Sequence, residues 1–305
     1  MITTPIALVV LLSALMHACW NCLVKSSPDG LLDTVGLAVG GSILAACLLP
    51  FVPLPAAESL PWLGVTLFIH VGYFFALIEA YRHADLSVAY PIMRGSAPVL
   101  VALAAPLTGD PLSPGLIAGV FLVALGITLP AWLGLRQGVV ARTGIGFACG
   151  NAFLIAGYTL VDGIGVRLSG SAVSYTLWLF FLDAWGILAI ALWQRGNGVF
   201  AHLRRRWLPA LAGSVLALGS YGIVLWAMTL ASIPAVAALR ESSVIFAALL
   251  GAILLKERMG RWRIAGALLV ALGAAKTLQG MISLHFNLKP MVLLTRALVT
   301  EEKLL

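Results

Sequence analysis

Ile117-Ala118-Gly119, followed after two residues by Leu122-Val123-Ala124-Leu125-Gly126, returns later in the chain as Ile264-Ala265-Gly266 and Leu269-Val270-Ala271-Leu272-Gly273. Both pieces return at an offset of 147. The same offset pairs Leu103 with Leu250, Ala105 with Ala252 and Asp110 with Glu257, each acidic residue closing the apolar run before it. A single offset shared by two apolar runs and the connector between them points to an internal duplication. An offset near half of 305 residues divides the chain into two similar units.

Working outward, the rest of the chain is of the same kind. It is 61% hydrophobic and 10% charged, with a mean hydropathy of +1.03. A soluble domain is about 25% charged, so this chain lacks the charge to cover a surface facing water. Lipid is the solvent that matches it. A bilayer crossing needs about 20 apolar residues. Ten such runs can be drawn, at about 5–25, 31–52, 61–81, 86–108, 113–133, 143–163, 171–193, 207–230, 234–255 and 262–280. Turn-forming residues separate them: Ser26-Ser27-Pro28-Asp29-Gly30, Pro53-Leu54-Pro55, Gly109-Asp110-Pro111 and Lys256 to Gly260. The first run has no charged leader or cleavage site before it and is read as a helix that stays. The tail 281–305, with Lys289, Pro290, Arg296 and Lys303, is assigned no structure or role.

The expected fold class is therefore an all-α integral membrane protein of ten transmembrane helices in two inverted five-helix repeats, 5–133 and 143–280. Five is odd, so the second repeat enters the bilayer from the opposite side. Inverted repeats around a midplane site are a common plan for secondary transporters. The net charge of +7 follows the same plan. Connectors 1–2, 3–4, 5–6, 7–8 and 9–10 carry Lys25, Arg82, Arg136, Arg142, Arg195, Arg204, Arg205, Arg206, Lys256, Arg258, Arg261 and Arg263, whereas the alternate connectors carry Arg167. The positive-inside rule places the first set in the cytoplasm and both termini outside, with the basic tail arguing the other way. Basic residues set between apolar runs orient a membrane protein, and nothing here suggests a nucleic-acid partner.

Motifs in these runs resemble the EamA-type permeases of the drug/metabolite transporter superfamily. They are His17-Ala18-Cys19-Trp20-Asn21 through Lys25, Ala84-Asp85-Leu86-Ser87-Val88-Ala89-Tyr90-Pro91, and Leu249-Leu250-Gly251 through Lys256-Glu257-Arg258 to Ile264-Ala265-Gly266. The likeness spans about 5–280. It implies ten helices, inverted halves, a central cavity and export or exchange of small metabolites across the plasma (inner) membrane. Gly109-Asp110-Pro111 departs from Lys256-Glu257-Arg258 at the matching place in the other repeat.

Ionisable residues within a span are costly and are functional candidates by default. Arg94 and Glu241 are related by the 147 offset and lie deep in their runs. Arginine keeps its charge, so Arg94 calls for a carboxylate, an anionic substrate or water. The expectation is a substrate cavity lined by both, with Arg94 binding a carboxylate or phosphate; the alternative is a purely structural Arg94–Glu241 pair. Glu241 would balance that charge, bind an amine or carry a coupling proton. Arg240, one position earlier, is expected to point about 100° away, so that one of the two at most faces the centre. His17, Asn21 and Lys25 stack on one helix face beside Trp20 and are read as cavity wall, against helix–helix hydrogen bonding with a snorkelling Lys25. Tyr90 lies one turn before Arg94; Tyr73 shares a face with His70; Tyr158 pairs with Asp162, which is read as interfacial. Glu79 is expected to pair with Arg82 and His83. Asp183, mid-span between Trp178 and Trp185, is a second candidate for proton coupling, against a plain buried carboxyl.

Four cysteines, Cys19, Cys22, Cys47 and Cys149, lie within apolar runs and suggest no disulfide framework. Cys19 and Cys22 have no second pair to complete a zinc site. No nucleotide-binding loop, nucleophile elbow or paired-carboxylate motif is present. No metal or cofactor is called for. The reading is a secondary transporter of small polar or amphipathic metabolites such as amino acids, organic acids or phosphonates, not an enzyme. A single chain holds both halves, so a monomer suffices and a dimer is allowed. The competing readings are an intramembrane enzyme or flippase acting on a lipid-linked substrate, and a membrane partner that transports nothing.

Overall fold

A computed structural model describes residues 4–27, 29–84, 86–135, 142–254 and 260–280. Expectations for the tail 281–305, for Lys256-Glu257-Arg258 and for Asp85 fall outside them. Every described element is helical: α1 Thr4–Lys25, α2 Gly30–Leu48, α3 Leu60–His83, α4 Leu86–Leu103, α5 Ala105–Thr108, α6 Pro114–Leu135 and α7 Arg142–Leu168, then α8 Ala172–Arg195, α9 Gly198–Arg205, α10 Trp207–Leu230, α11 Ile233–Arg240, α12 Ser243–Leu254 and α13, residues 261–280. Among the described residues, seven helical segments are long and apolar enough to cross a membrane: Pro5–Lys25, Gly30–Phe51, Ala57–His83, Thr143–Leu168, Ala172–Arg195, Trp207–Leu230 and Ile233–Leu254. Shorter apolar helices run over Val88–Leu103 and Pro114–Leu129. The molecule is an all-α, multi-pass membrane protein.

Large apolar side chains face outward along these helices, Phe68, Phe121, Phe153, Trp193 and Leu268 among them, as a lipid solvent requires. Inside, small residues let the helices approach. The main core joins Ala7 and Val10 of α1, Leu63 of α3 and Val101 of α4 to Val166 of α7, Tyr175 of α8, Val224 of α10 and Ile233 of α11. Helices from the two ends of the chain thus share one interior. The pairings have a pattern: α3 packs on α7 and α1 on α10; α4 on α7 and α1 on α12; α2 on α8. The closest approach is between α6 and α13. A Cβ on Gly273 would stand 2.7 Å from Val123 N and 2.8 Å from Gly119 O, and one on Gly126 would stand 2.6 Å from Gly266 O. Only glycine fits such a crossing.

Three expectations about the spans need correction. The run 86–108 is not one helix. α4 ends at Leu103 and a turn at Ala104 leads into α5, because Pro106 supplies no backbone N–H to continue the ladder. The run 234–255 is interrupted at Glu241-Ser242, where α11 ends and α12 begins. There the bonds tighten to i→i+3, from Glu241 N to Ala238 O and from Val244 N to Glu241 O. Pro234 does not bend this helix. It stands in the first turn of α11, where proline is at home. The run 143–163 is too short: α7 continues to Leu168, with Gly163 and Gly165 packed closely against Ile233 and the Tyr175 ring.

Candidate functional site

The interruption between α11 and α12 sets the geometry of the interior. Glu241 lies at the break, 2% exposed, and its Oε2 is 3.0 Å from Arg94 Nη2 on α4. Arg240, 4% exposed, brings its Nε to 3.8 Å from Glu241 Oε1. The expectation that at most one of Arg240 and Glu241 faces the centre fails. A 100° step separates Cβ directions in a continuous helix, but here the helix stops, and a long guanidinium arm reaches back. Two arginines share one carboxylate, so the three side chains carry one net positive charge in the interior. The hydrogen bonds are incomplete. Arg94 Nε and Nη2, Arg240 Nε and Glu241 Oε2 have no aligned hydrogen-bond partner among the described residues.

Tyrosines surround this group. Arg94 is in electrostatic reach of Tyr73, Tyr90 and Tyr158, and His17 is in reach of both Arg94 and Arg240. Tyr73 and Tyr158 meet edge to face, with centroids 5.8 Å apart, and His17 meets Trp20 in the same way at 4.8 Å. The structure thus gathers His17, Trp20, Tyr73, Tyr90, Arg94, Tyr158, Arg240 and Glu241. It does not do the same for all of the α1 stripe. The Asn21 amide donates to the His17 carbonyl, 2.7 Å away on its own helix, and Lys25 is the exposed last residue of α1. Arg94 is buried at 8% exposure, so in this conformation the pair is enclosed by packed side chains rather than lining an open cavity.

A second polar group lies on the other side of Tyr73 and Tyr158. His70 of α3 has its Nδ1 3.1 Å from Asp183 Oδ1 of α8. The His70 ring meets Tyr158 at 4.6 Å and Tyr73 at 6.4 Å. Asp162 of α7 is fully buried and accepts from the Tyr175 hydroxyl at 3.2 Å and the Tyr221 hydroxyl at 2.5 Å. The reading of Asp162 as interfacial is therefore wrong, and the cause is the length of α7. Five more residues at that end of α7 put it inside the bundle. A longer span was the signal that would have exposed it.

Polar ties close both ends of the bundle. At the end holding the α1–α2 and α8–α10 connectors, Asp33 of α2 binds His202 of α9 and Arg206, the latter through Nη2 at 2.9 Å. At the other end Arg167 of α7 donates to Asp110 Oδ1 at 2.9 Å and to the carbonyls of Met228 and Ala231. Asp110 also accepts from Ile233 N at 3.0 Å, which caps α11. Glu79 pairs as expected with Arg82 at 2.7 Å and His83 at 3.4 Å. A cleft of about 730 Å³ opens between α3 and α8, lined by Phe75, Ile78, Glu79, Arg82, Ile190 and Trp193 among others. Among the described residues no group of three His, Cys, Asp or Glu is placed to hold a metal ion.

Residues 142–278 match the model of the EamA-like transporter family. Over that region the chain is similar to EamA-like transporters. The resemblance seen in its closing motif is thus confirmed for the second repeat, and the matched region contains Tyr158, Asp162, Asp183, Arg240 and Glu241. A crystal structure shares the fold of the chain at a TM-score of 0.69 and 17% identity, over 92% of this chain and 98% of the other. That likeness is one of fold and covers both halves of the chain. No curated protein sequence matches the chain.

Proposed function

We propose that this protein is a secondary transporter in which two inverted five-helix halves enclose a site for the anionic group of a small metabolite. The observation that carries this reading is the buried set of two arginines and one carboxylate. A net positive charge at membrane depth is expensive, and a substrate carboxylate or phosphonate would neutralise it through the planar guanidinium groups. Amino acids, organic acids and phosphonates are the substrate classes, moved by export or exchange across the plasma membrane.

The repeat supports the architecture in detail. Five helices per half are α1, α2, α3, α4 with α5, and α6; then α7, α8, α10, α11 with α12, and α13. A two-fold axis would exchange the α3–α7 contact with α10–α1 and the α4–α7 contact with α12–α1, and would map α2–α8 and α6–α13 onto themselves. These are the pairings the helices make. Under the 147 offset Gly119 corresponds to Gly266 and Gly126 to Gly273. Gly119 stands against Gly273 and Gly126 against Gly266, the reciprocal contact of an isologous interface. Arg94 and Glu241 are likewise equivalent to each other and in contact. Equivalent residues that touch lie at the axis, where rocking halves would expose a site to either side. One chain supplies both halves, so a monomer is a complete transporter.

The test is solute flux in proteoliposomes with pooled labelled amino acids, organic acids and phosphonates, each beside an analogue whose anionic group is an amide or ester. Flux of an anionic class and not of its neutral analogue, lost in Arg94→Met and retained in part by Arg94→Lys, is the expected result. Conversion of a lipid by the folded protein, with no solute moved, would favour the enzyme reading instead.

A further inference from the structure

The interior holds a second charged group that the anion site leaves unused, and its balance is the inverse of the first. On the Arg94 side there are two cations and one carboxylate. On the His70 side there are two carboxylates, Asp162 and Asp183, and one imidazole. Layers of Tyr73 and Tyr158 separate the two groups, each ring in contact with His70 and in electrostatic reach of Arg94. We propose that His70, Asp183 and Asp162 form a proton-binding site that takes up one proton for each anionic group bound at Arg94 and Arg240. This rests on the transporter reading and adds the coupling ion and its site.

Four elements supply the groups around His70 and Asp162, which are in electrostatic reach of each other. Against His70 stand Tyr73 of α3, Tyr158 of α7 and Asp183 of α8; against Asp162 stand Thr66 of α3, Tyr175 of α8 and Tyr221 of α10. Apart from Asp183 and Asp162, these are uncharged hydroxyl-bearing side chains. With His70 protonated and both carboxylates ionised, the group carries one negative charge, which offsets the one positive charge beside Arg94. An anion bound at the arginines upsets that balance. In a low-dielectric interior, the cheapest correction is one added proton on the carboxylate-rich side. Anion and proton then move together, so an exported anion carries a proton out, and an acidic exterior drives the reverse.

Geometry offers a route and a reason for coupling. His70 lies five residues from Phe75 and Asp183 seven from Ile190, so the pair stands about 7–11 Å along α3 and α8 from the lining of the cleft. The cleft is walled by the same two helices and has Glu79 and Arg82 in its lining. Asp183 keeps 25% of its side chain exposed, whereas Asp162 has none, as expected for an outer acceptor and an inner one. His70 and Asp183 also belong to opposite halves, α3 and α8. Separating the halves necessarily separates the imidazole from its carboxylate, which ties the proton's hold to the rocking motion.

The experiment compares two readouts in proteoliposomes, using the labelled solute pool with its organic acids and phosphonates. One is exchange at equal pH on both sides. The other is accumulation under an imposed gradient of two pH units, which one coupled proton limits to about 100-fold, ten-fold for each unit. Wild type is expected to do both. His70→Gln, Asp183→Asn and Asp162→Asn are expected to retain exchange and lose accumulation, with the labelled solute only equilibrating. Retained exchange also shows that these variants are folded. Accumulation by the variants equal to wild type would overturn the proton site. So would loss of exchange together with accumulation, which would place these residues in the fold or the solute path. Wild-type exchange that ignores the pH gradient would overturn the coupling and leave the transporter intact. No exchange of any member by wild type would overturn the transporter reading, and the coupling with it.

Discussion

Arg94, Arg240 and Glu241 can be distinguished from a purely structural ion pair by what each loss does. Removing one partner of a buried pair strands the other, typically at a cost of about 3–5 kcal/mol, whereas replacing both by apolar residues of similar size is often tolerated. Arg94→Met and Glu241→Met are each expected to lower the stability of the purified protein by that amount, and the double variant by less than either. Thermal unfolding in detergent measures this. If the pair served the fold alone, the double variant would also transport. The expectation is the opposite: the double variant folds and moves no anion. A charge-assisted hydrogen bond is worth about 1.5–3 kcal/mol, so Arg240→Gln should weaken apparent solute affinity about 10–100-fold while leaving a folded protein. Unchanged affinity would remove Arg240 from the site. These residues were legible in the sequence because charge inside an apolar run is rare and because the 147 offset pairs Arg94 with Glu241. Their mutual contact with Arg240 was not legible, since it depends on a helix break that no proline or glycine marks. The run Arg240-Glu241-Ser242-Ser243 contains neither.

Among the elements, the repeat predicted the most. A short apolar pattern and its recurrence identified the two helices that turn out to cross most closely, α6 and α13. At this crossing a side chain has nowhere to go. Gly273→Leu would drive a branched chain into Val123 N and Gly119 O and is expected to cost about 1–3 kcal/mol or more, as overpacking does, with a matching fall in folded yield. Gly146→Ala on α7, where nothing lies within 4 Å of an added Cβ, should stay within about 0.5 kcal/mol. Equal tolerance at both glycines would refute the reading of the α6–α13 crossing. Span boundaries were less legible than span existence. In lipid, glycine within a helix is a packing residue, as Gly163 and Gly165 are against Ile233 and Tyr175; the run drawn to 163 stops five residues before Leu168, where α7 ends, and so moves Asp162 to the interface. Pro106 acted in the other direction and split a run that looked continuous.

At the scale of the whole molecule, polar ties at the two ends of the bundle join helices of opposite halves. Asp33 with His202 and Arg206 closes one end; Asp110 with Arg167 closes the other, while also capping α11. Alternating access requires each end to open in turn. Weakening one tie should shift the population toward the state open at that end. Asp110→Asn, which keeps the shape and removes the charge, is expected to make the Arg94 region more reachable from the Arg167 face and less reachable from the His202 face. None of this follows from the sequence, in which Asp110 marks the repeat and Asp33 opens an apolar run with no basic residue near it that signals its partners. Contacts between residues 57 to 173 positions apart leave no local pattern.

The central claim is a single anion site on a pseudo-two-fold axis, reached alternately from both membrane faces. It is tested most directly by side-specific thiol labelling. With Cys19, Cys22, Cys47 and Cys149 replaced by alanine, a cysteine in place of Tyr90, one turn from Arg94, is exposed to a membrane-impermeant thiol reagent in sealed proteoliposomes of known orientation. Labelling from either face, with a transported anion slowing both, is the predicted result. Labelling from one face alone, unchanged by anion and by Asp110→Asn, would contradict alternating access at this site.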